Sequence, residues 1–154
     1  MFEKIFANVN RRIEFYRRIN DKLVLIDIDE KPIDLVVNDG LDALCGCAFD
    51  ASASRPAAFQ YIALGTVSTA PSATDSALGG EVMRTIATYT KASEVGACTL
   101  TASFDITASY SLCECGIFNA SSGGTLYCRD TFATRNVVSG DVVKVYYTGS
   151  FAAG

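Results

Sequence analysis

The chain contains no histidine, and this absence removes several kinds of chemistry. Histidine titrates near neutral pH, serves as the general base of serine and cysteine triads, and is a frequent zinc ligand. A histidine-dependent triad, a His-ligated metal and histidine acid–base catalysis are therefore excluded. Only carboxylate-based or lysine-based catalysis stays open, and we expect no catalytic residue, no cofactor and no metal.

Long apolar runs are also absent. No stretch approaches the roughly 18–20 apolar residues that span a bilayer, and the charged N-terminal segment lacks the apolar core and cleavage site of a signal peptide. We therefore expect synthesis in a cytoplasm, where the six cysteines start out reduced. The net charge of −4 gives no electrostatic reason to bind nucleic acid, so neither nucleic acid nor membrane is an expected partner.

Apolar residues recur at spacings of three and four in the first segment, MFEKIFANVNRRIEFYRR. This spacing predicts an amphipathic helix with its arginines largely off the apolar stripe. We expect the stripe to pack on its own domain or on a neighbouring subunit, and a helix on a membrane or nucleic acid is the less favoured alternative. The candidate subunit interface consists of Phe2, Ile5, Phe6, Val9, Ile13 and Tyr16.

The segments after this predicted helix change character. KLVLIDID (22–29) indicates a strand, and Asn38 or Asp39 is a suitable N-cap for one further short helix. The acidic residues between 27 and 34 lack the spacing and central glycine of a calcium loop, which favours a solvated strand end over a metal site.

Short apolar segments separated by turn signals dominate the rest of the chain. Because they recur without helical periods between them, they predict an antiparallel, jelly-roll-like β-sandwich. We expect residues 1–35 to form a helical arm plus strand, and 36–154 to form one β-sandwich domain. The candidate strands are 59–65, 81–91, 97–106, 110–118, 125–132 and 141–151, and residues 66–80 form a long loop.

The cysteines include two Cys-x-Cys pairs, which raises the question of a metal or redox site. On a helix, Cys45 and Cys47 would point about 200° apart, and zinc hairpins favour wider spacing. No Cys-x-x-Cys redox motif is present. Buried thiols are the favoured interpretation and disulfides the alternative, for Cys45, Cys47, Cys98, Cys113, Cys115 and Cys128.

Three motifs between residues 59 and 151 resemble a family of tailed-bacteriophage and prophage structural proteins. The first is IALGTVSTAPSATDSAL, followed by an arginine; the second is E-C-GIFNA with GGTL, Arg129 and Phe132; the third runs from Gly140-Asp141 to Phe151. Val67, Cys113 and Cys115 depart from the family pattern. The framework residues are Leu64, Gly65, Asp75, Arg84, Glu114, Gly116, Phe118, Gly124 and Arg129.

The resemblance implies a non-enzymatic structural component of a phage particle, in its neck, collar or tail. Such a protein would be located in the virion after synthesis in the bacterial host cytoplasm. It would form a symmetric homo-oligomer and contact other virion proteins, with disulfides as a reinforcement. The predicted helix stripe and the 66–80 loop are the expected contact elements.

Three other functions stay open at this point. A capsid decoration protein is the nearest alternative. A host-surface or glycan-binding module belongs to another class, although the chain has no tryptophan to stack on sugars. A carboxylate-based enzyme, with Glu114 as its candidate residue, is the least favoured.

Overall fold

In a computed structural model, which describes residues 6–32 and 35–152 and the side chains of 8–32 and 35–151, the chain is mainly β. The described residues form ten strands and one helix. The elements are β1 (Phe6–Ile19), β2 (Lys22–Lys31), β3 (Leu35–Val36), α1 (Asn38–Phe49), β4 (Tyr61–Gly65), β5 (Glu81–Ile86), β6 (Thr88–Lys91), β7 (Ala97–Asp105), β8 (Tyr110–Phe118), β9 (Leu126–Val137) and β10 (Val142–Ala152).

The strands form two antiparallel sheets of five strands each, and this strand content fits the predicted β-sandwich class. The first sheet has the order β2-β1-β10-β7-β6 and the second β3-β9-β8-β4-β5. Each sheet belongs to its own compact unit, and the second unit comprises Leu35–Ile86 and Ser109–Val137. The predicted division into an arm and one domain does not follow these units, because Ala87–Ala108 and residues after 137 join the first.

The predicted N-terminal helix is wrong over the described residues, since Phe6–Ile19 is the strand β1. A spacing of four residues, as between Val9 and Ile13, fits both a helical turn and the two-residue period of a strand. Arg11 hid the alternation, because it is a charged residue on the buried face. Its guanidinium reaches Asp29 of β2 at 2.6 Å, and this pairing allows burial.

Two residues of the expected subunit interface are buried within the chain. Val9 and Ile13 are 2% and 0% exposed, so the chain itself covers them and they offer no surface to another subunit. Tyr16 is half-buried. Phe2 and Ile5 lie outside the described residues, as does the side chain of Phe6.

The final strand confirms the alternation that its sequence predicts. Val143, Val145 and Tyr147 are buried on one face of the first sheet, while Phe151 is exposed near the strand end. The predicted strand over 81–91 is instead two strands, β5 and β6, which belong to different sheets. The chain changes sheets at the buried Ala87.

The second unit has an apolar core beside its sheet. Side chains from strands, from the start of α1 and from the loop between β4 and β5 meet in this cluster, which removes their apolar surface from water. Its buried members are Val37, Ala63, Leu78, Phe118 and Leu126, with Tyr61 packed against them.

The helix α1 begins one residue earlier than an N-cap at Asn38 would give, and two earlier than an N-cap at Asp39 would give. Val37 occupies the N-cap position without a side-chain cap, and Asp39 lies in the first turn, where the helix dipole favours a negative charge. The N–H of Asn38 donates to the carbonyl of Ala73 at 2.8 Å, so the long loop satisfies one of the N–H groups that have no partner within the first turn of the helix. No helix in the described ranges is long and apolar enough to cross a bilayer.

Candidate functional site: a loop anchored on a buried carboxylate

Glu114 lies in the middle of β8 and is fully buried. Its Oε1 accepts hydrogen bonds from the backbone N–H groups of Val67 (3.2 Å) and Gly80 (2.6 Å). Its Oε2 accepts one from the N–H of Gly79 at 2.9 Å. One carboxylate therefore holds both ends of the loop 66–80 next to each other.

Arg129 of β9 neutralises this buried charge. Its Nε and one terminal nitrogen donate to Oε2 of Glu114 at 3.0 and 2.9 Å. The guanidinium also donates to Oδ2 of Asp75 (2.9 Å) and to the carbonyl of Thr69 (3.1 Å). Burial disfavours its charged form, but the hydrogen bonds to Glu114 and Asp75 outweigh burial and raise the pKa of Arg129.

Asp75 fixes the middle of the loop. Its Oδ2, which also receives the Arg129 bond, accepts the N–H of Ser72 at 2.9 Å. Its own N–H donates to the carbonyl of Ser72 at 3.0 Å, which closes a tight turn. Although residues 66–80 contain no helix or strand, the loop is held at both ends and at its centre.

Gly65, at the end of β4, leaves the space that the Glu114 carboxylate occupies. A Cβ at this position would overlap Oε1 of Glu114 and would lie 2.7 Å from the carbonyl oxygen of Gly80. Gly116 meets a similar limit, because its Cβ would lie 2.7 Å from the carbonyl oxygen of Cys128. These two glycines are therefore required by close approach rather than by an unusual backbone conformation.

A second network holds the turn between β8 and β9. The Arg84 guanidinium donates to the carbonyls of Ala120 (2.9 Å) and Gly123 (2.8 Å). It also pairs with Glu81 at 2.6 Å and lies 3.6 Å over the ring of Phe118. One cation thus joins the edge strand β5, the end of β8 and the turn that follows.

The turn itself relies on asparagine and glycine. The Asn119 side chain accepts the N–H of Thr125 at 2.7 Å. Gly123 and Gly124 have φ values of +58° and +74°, a region that residues with a Cβ adopt at a cost. The motif GIFNASSGGTL is therefore a strand followed by a turn with a specific hydrogen-bond pattern.

All nine framework residues lie in the second unit, where the structure brings most of them into these networks. Glu114, Arg129, Asp75 and Gly65 meet at the loop, while Arg84 and Phe118 meet at the turn. Leu64 is buried, and Gly116 lies in β8 directly opposite Arg129. Gly124 supplies a positive φ in the turn.

The network holds the backbone in place, and its chemistry is that of charge neutralisation. Both oxygens of Glu114 receive backbone or guanidinium donors, and its side chain is 0% exposed, so a substrate does not reach it. No cluster of three or more Cys, Asp or Glu side chains within 6–32 and 35–152 has the arrangement of a metal site.

All six cysteines lie within the described ranges, and each is present as a thiol. Cys113, Cys115 and Cys128 are buried, as the favoured interpretation predicts. Burial raises the pKa of the Cys113 thiol, and the neighbouring Glu114 charge adds to this effect, so the thiolate is disfavoured. No disulfide joins any two of these six described cysteines in this structure.

The other cysteines lie nearer the surface. Cys45 and Cys47 are both in α1, as expected; Cys45 is exposed, whereas the Cys47 thiol donates to the carbonyl of Pro56 at 3.4 Å. Cys98 is half-buried in β7.

The sequence pattern did not lead us to predict a polar cluster that lies in the first sheet. Glu14 accepts hydrogen bonds from Tyr16 (2.6 Å), Arg12 (2.9 Å) and Tyr146 (3.3 Å). These donors, the Tyr16 hydroxyl foremost, lower the pKa of Glu14 against the opposing effect of burial. Strand alternation would have placed Arg12, Glu14 and Tyr16 on one face, but the helix prediction concealed this signal.

Comparisons with protein-family models, with curated proteins and with solved structures find no match to this chain.

Proposed function

We propose that this chain is a non-enzymatic structural component of a tailed phage particle, associated with its neck, collar or tail. In this proposal it assembles as a symmetric homo-oligomer and contacts other virion proteins by buried surface. Buried thiols contribute through packing, and disulfides between copies reinforce the assembled particle. The motif resemblance suggests the particle, and the geometry of the motif residues supports a structural role.

The proposal rests on one observation: side chains from separate motifs bind the backbone of one loop and fix its conformation. Glu114, Arg129 and Asp75 come from different parts of the chain and together fix a fifteen-residue loop, 66–80. A loop fixed in this way presents a constant surface, since its conformation does not depend on a partner. Virion assembly needs such surfaces because each copy must offer the same contact.

Catalysis is a poorer explanation of the same residues. A general acid or base must reach the proton that it transfers. Glu114 is enclosed by donors from Val67, Gly79, Gly80 and Arg129 and has no exposed surface. A framework role accounts for its burial and its partners together.

Mass spectrometry of purified particles tests the proposed function. We expect peptides of this chain in particles banded by density, in a constant ratio to the major head or tail proteins and after washing in high salt. A tag at the exposed Val95 loop, imaged by electron microscopy, would separate a neck or tail position from capsid decoration. Absence of the chain from intact particles would overturn the proposal.

A glycan-binding module is the second candidate, favoured by a cleft in the first unit. This cleft of about 460 Å³ is open to solvent and lined by hydrogen-bonding side chains, including Asn10, Thr99, Tyr146 and Thr148. Arg12 and Glu30 form an ion pair at its border. Arg11 and Lys31 line the cleft as well, and a mixture of neutral and charged donors and acceptors around an open cleft suits sugar hydroxyls.

A glycan array tests this second candidate. Binding that is lost in Thr148→Val and retained in Thr134→Val, a change at an exposed position outside the cleft, would support it. No binding by the wild-type chain would leave the structural proposal as the better explanation.

A further inference from the structure

The two edges of the first sheet are very different. β6 is only four residues long, is polar and ends in Lys91, which are features that protect an edge from pairing with another chain. β2 is ten residues long, and its apolar side chains are exposed. The exposed fractions lie between 36% and 47% for Ile19, Leu23, Val24, Leu25, Ile26 and Ile28.

The backbone of β2 also has hydrogen-bonding groups that point away from β1. Asn20 and Asp21 have φ values of +49° and +59° and connect β1 to β2 as a two-residue turn, so Ile19 and Lys22 form a hydrogen-bonded pair. Opposed pairs alternate between bonded and non-bonded along an antiparallel ladder. The N–H and C=O groups of Leu23 and Leu25 therefore point away from β1, toward the open edge.

An irregularity limits the regular part of this edge. The register shifts between Phe15 and Tyr16, whose partners are Asp27 and Leu25, so Ile26 has no residue directly opposite. The N–H of Ile28 donates to the side chain of Asp27 at 2.8 Å. Both features interrupt edge pairing beyond Ile26, which leaves Lys22–Ile26 as the segment for a partner strand.

We propose that a second copy of this chain adds its β2 antiparallel to this segment. The two-fold axis passes beside Val24, so that Val24 faces Val24 of the second copy. Leu23 then lies opposite Leu25 of the second copy, and the outward backbone groups of these leucines bond across the interface. The first sheets of two copies become one continuous sheet.

The charge pattern of β2 favours a second copy as the partner and selects this register. The segment before Ile26 is apolar apart from Lys22, whereas Asp27, Asp29 and Glu30 follow it. Pairing through Val24 places Leu23, Val24 and Leu25 opposite apolar side chains and Lys22 opposite Ile26, and it leaves the three carboxylates outside the ladder. A register centred on Ile28 would place Asp27 opposite Asp29, and opposed like charges destabilise a sheet.

Solution mass over a concentration series from ~1 to ~100 µM tests the proposal. We expect the wild-type chain to approach twice 16.4 kDa, and Leu25→Lys to stay at 16.4 kDa, because the ammonium group would lie against Leu23 of the second copy. Ile86→Lys is the matched control: Ile86 is an exposed apolar residue at an edge strand of the other sheet, and its change should leave the mass unaltered. A dimer that persists in Leu25→Lys would overturn the proposal.

Cross-linking tests the register and decides the matter if Leu25→Lys does not fold. Opposed residues in a sheet have Cβ atoms about 4.5–5.5 Å apart, close enough for a disulfide after small adjustment. Val24→Cys should therefore give a reducible dimer whose linked peptides join residue 24 to residue 24. Linkage no greater than in Val95→Cys, at a fully exposed loop position, would contradict the proposal.

This inference deepens the self-assembly contained in the proposed function, and the two fail in different ways. A wild-type chain that is monomeric throughout the series would overturn the edge contact. The location in a particle is tested separately by the composition of purified particles.

Discussion

Two ion pairs, one in each sheet, differ in their burial. In the second sheet, the side chains of Glu114 and Arg129 are 0% and 3% exposed, and both also bond to the loop 66–80. In the first, Arg12 and Glu30 pair at the surface with 42% and 60% of their side chains exposed. Removing one member of a buried pair leaves an unpaired charge, whereas solvent replaces the lost partner at the surface.

The difference in burial indicates a separate structural role for each sheet. The second sheet uses buried charge to hold a long loop and a turn in one conformation. The first sheet pairs Arg12 with Glu30 at the surface and buries Arg11 against Asp29, and among the described residues no strand covers the apolar edge β2. We interpret the second unit as the source of a fixed surface and the first as the source of an assembly contact.

Glu114→Gln should have the largest effect. The amide has one acceptor where the carboxylate offered two, and Arg129 would lose the fully buried one of its two charge partners and keep only Asp75. We expect the free energy of unfolding to fall by about 3–5 kcal/mol, measured by urea titration. Glu30→Gln, in the exposed pair, is the matched control and should lower the free energy of unfolding by only a small fraction of this amount. Similar losses in both variants would contradict the contrast between the two ion pairs.

Gly65→Ala should follow. The added methyl would overlap the Glu114 carboxylate and lie 2.7 Å from the Gly80 carbonyl, so the loop must move. We expect a loss of about 1–3 kcal/mol in unfolding free energy. At Gly149→Ala, in the first sheet, the new Cβ meets only the Cys98 sulfur at 3.8 Å, so its stability should be nearly unchanged. Equal losses would show that close packing at Glu114 is not the cause.

Arg84→Lys should have a moderate effect. A lysine cannot reproduce the planar set of donors that reaches Ala120, Gly123 and Glu81 together. We expect a loss of about 1–2 kcal/mol and faster amide exchange confined to residues 119–125. Exchange that rises equally across the first sheet would mean that Arg84 does not act through this turn.

Asp141→Asn should give the smallest change, visible as an altered pH dependence. The bidentate bond from Arg17, at 2.9 and 3.1 Å, is the main cause of the lowered pKa of Asp141, burial opposes it, and the N–H of Val138 adds to the lowering. Because the folded-state pKa lies below the unfolded value of about 3.9, this stabilisation is present above that pH and is lost as pH falls through the folded pKa.

Arg17→Met supplies the control for this prediction. If the Arg17 guanidinium is the cause, Arg17→Met and Asp141→Asn should remove the same part of the acid dependence of unfolding, and the double variant should remove little more. Independent, additive losses would assign the lowered pKa to other groups.

Much of the strand content could be predicted, because alternation and turn residues are local signals. The last strand has Val143, Val145 and Tyr147 on one face, and the structure confirms this pattern. The first strand could not be recognised in the same way, since its buried face includes Arg11, whose partner Asp29 comes eighteen residues later. The hairpin turn at Asn20-Asp21 was the available local signal for β1 and β2.

The candidate site was predictable as a set of residues and unpredictable as an arrangement. The motif resemblance selected Glu114, Arg129 and Asp75, but no local pattern states that they meet. Their contact depends on the pairing of β8 with β9 and on a loop that returns over both. Long-range pairing of this kind is a property of the whole sheet rather than of any segment.

Amide hydrogen exchange at Val67, Gly79 and Gly80 tests the central claim, that Glu114 holds the loop, most directly. Their N–H groups are the donors to the Glu114 carboxylate. The account predicts strong protection of all three in the wild-type chain, and its selective loss in Glu114→Gln while the strands of the first sheet stay protected. Fast exchange at these amides in the wild-type chain would contradict it.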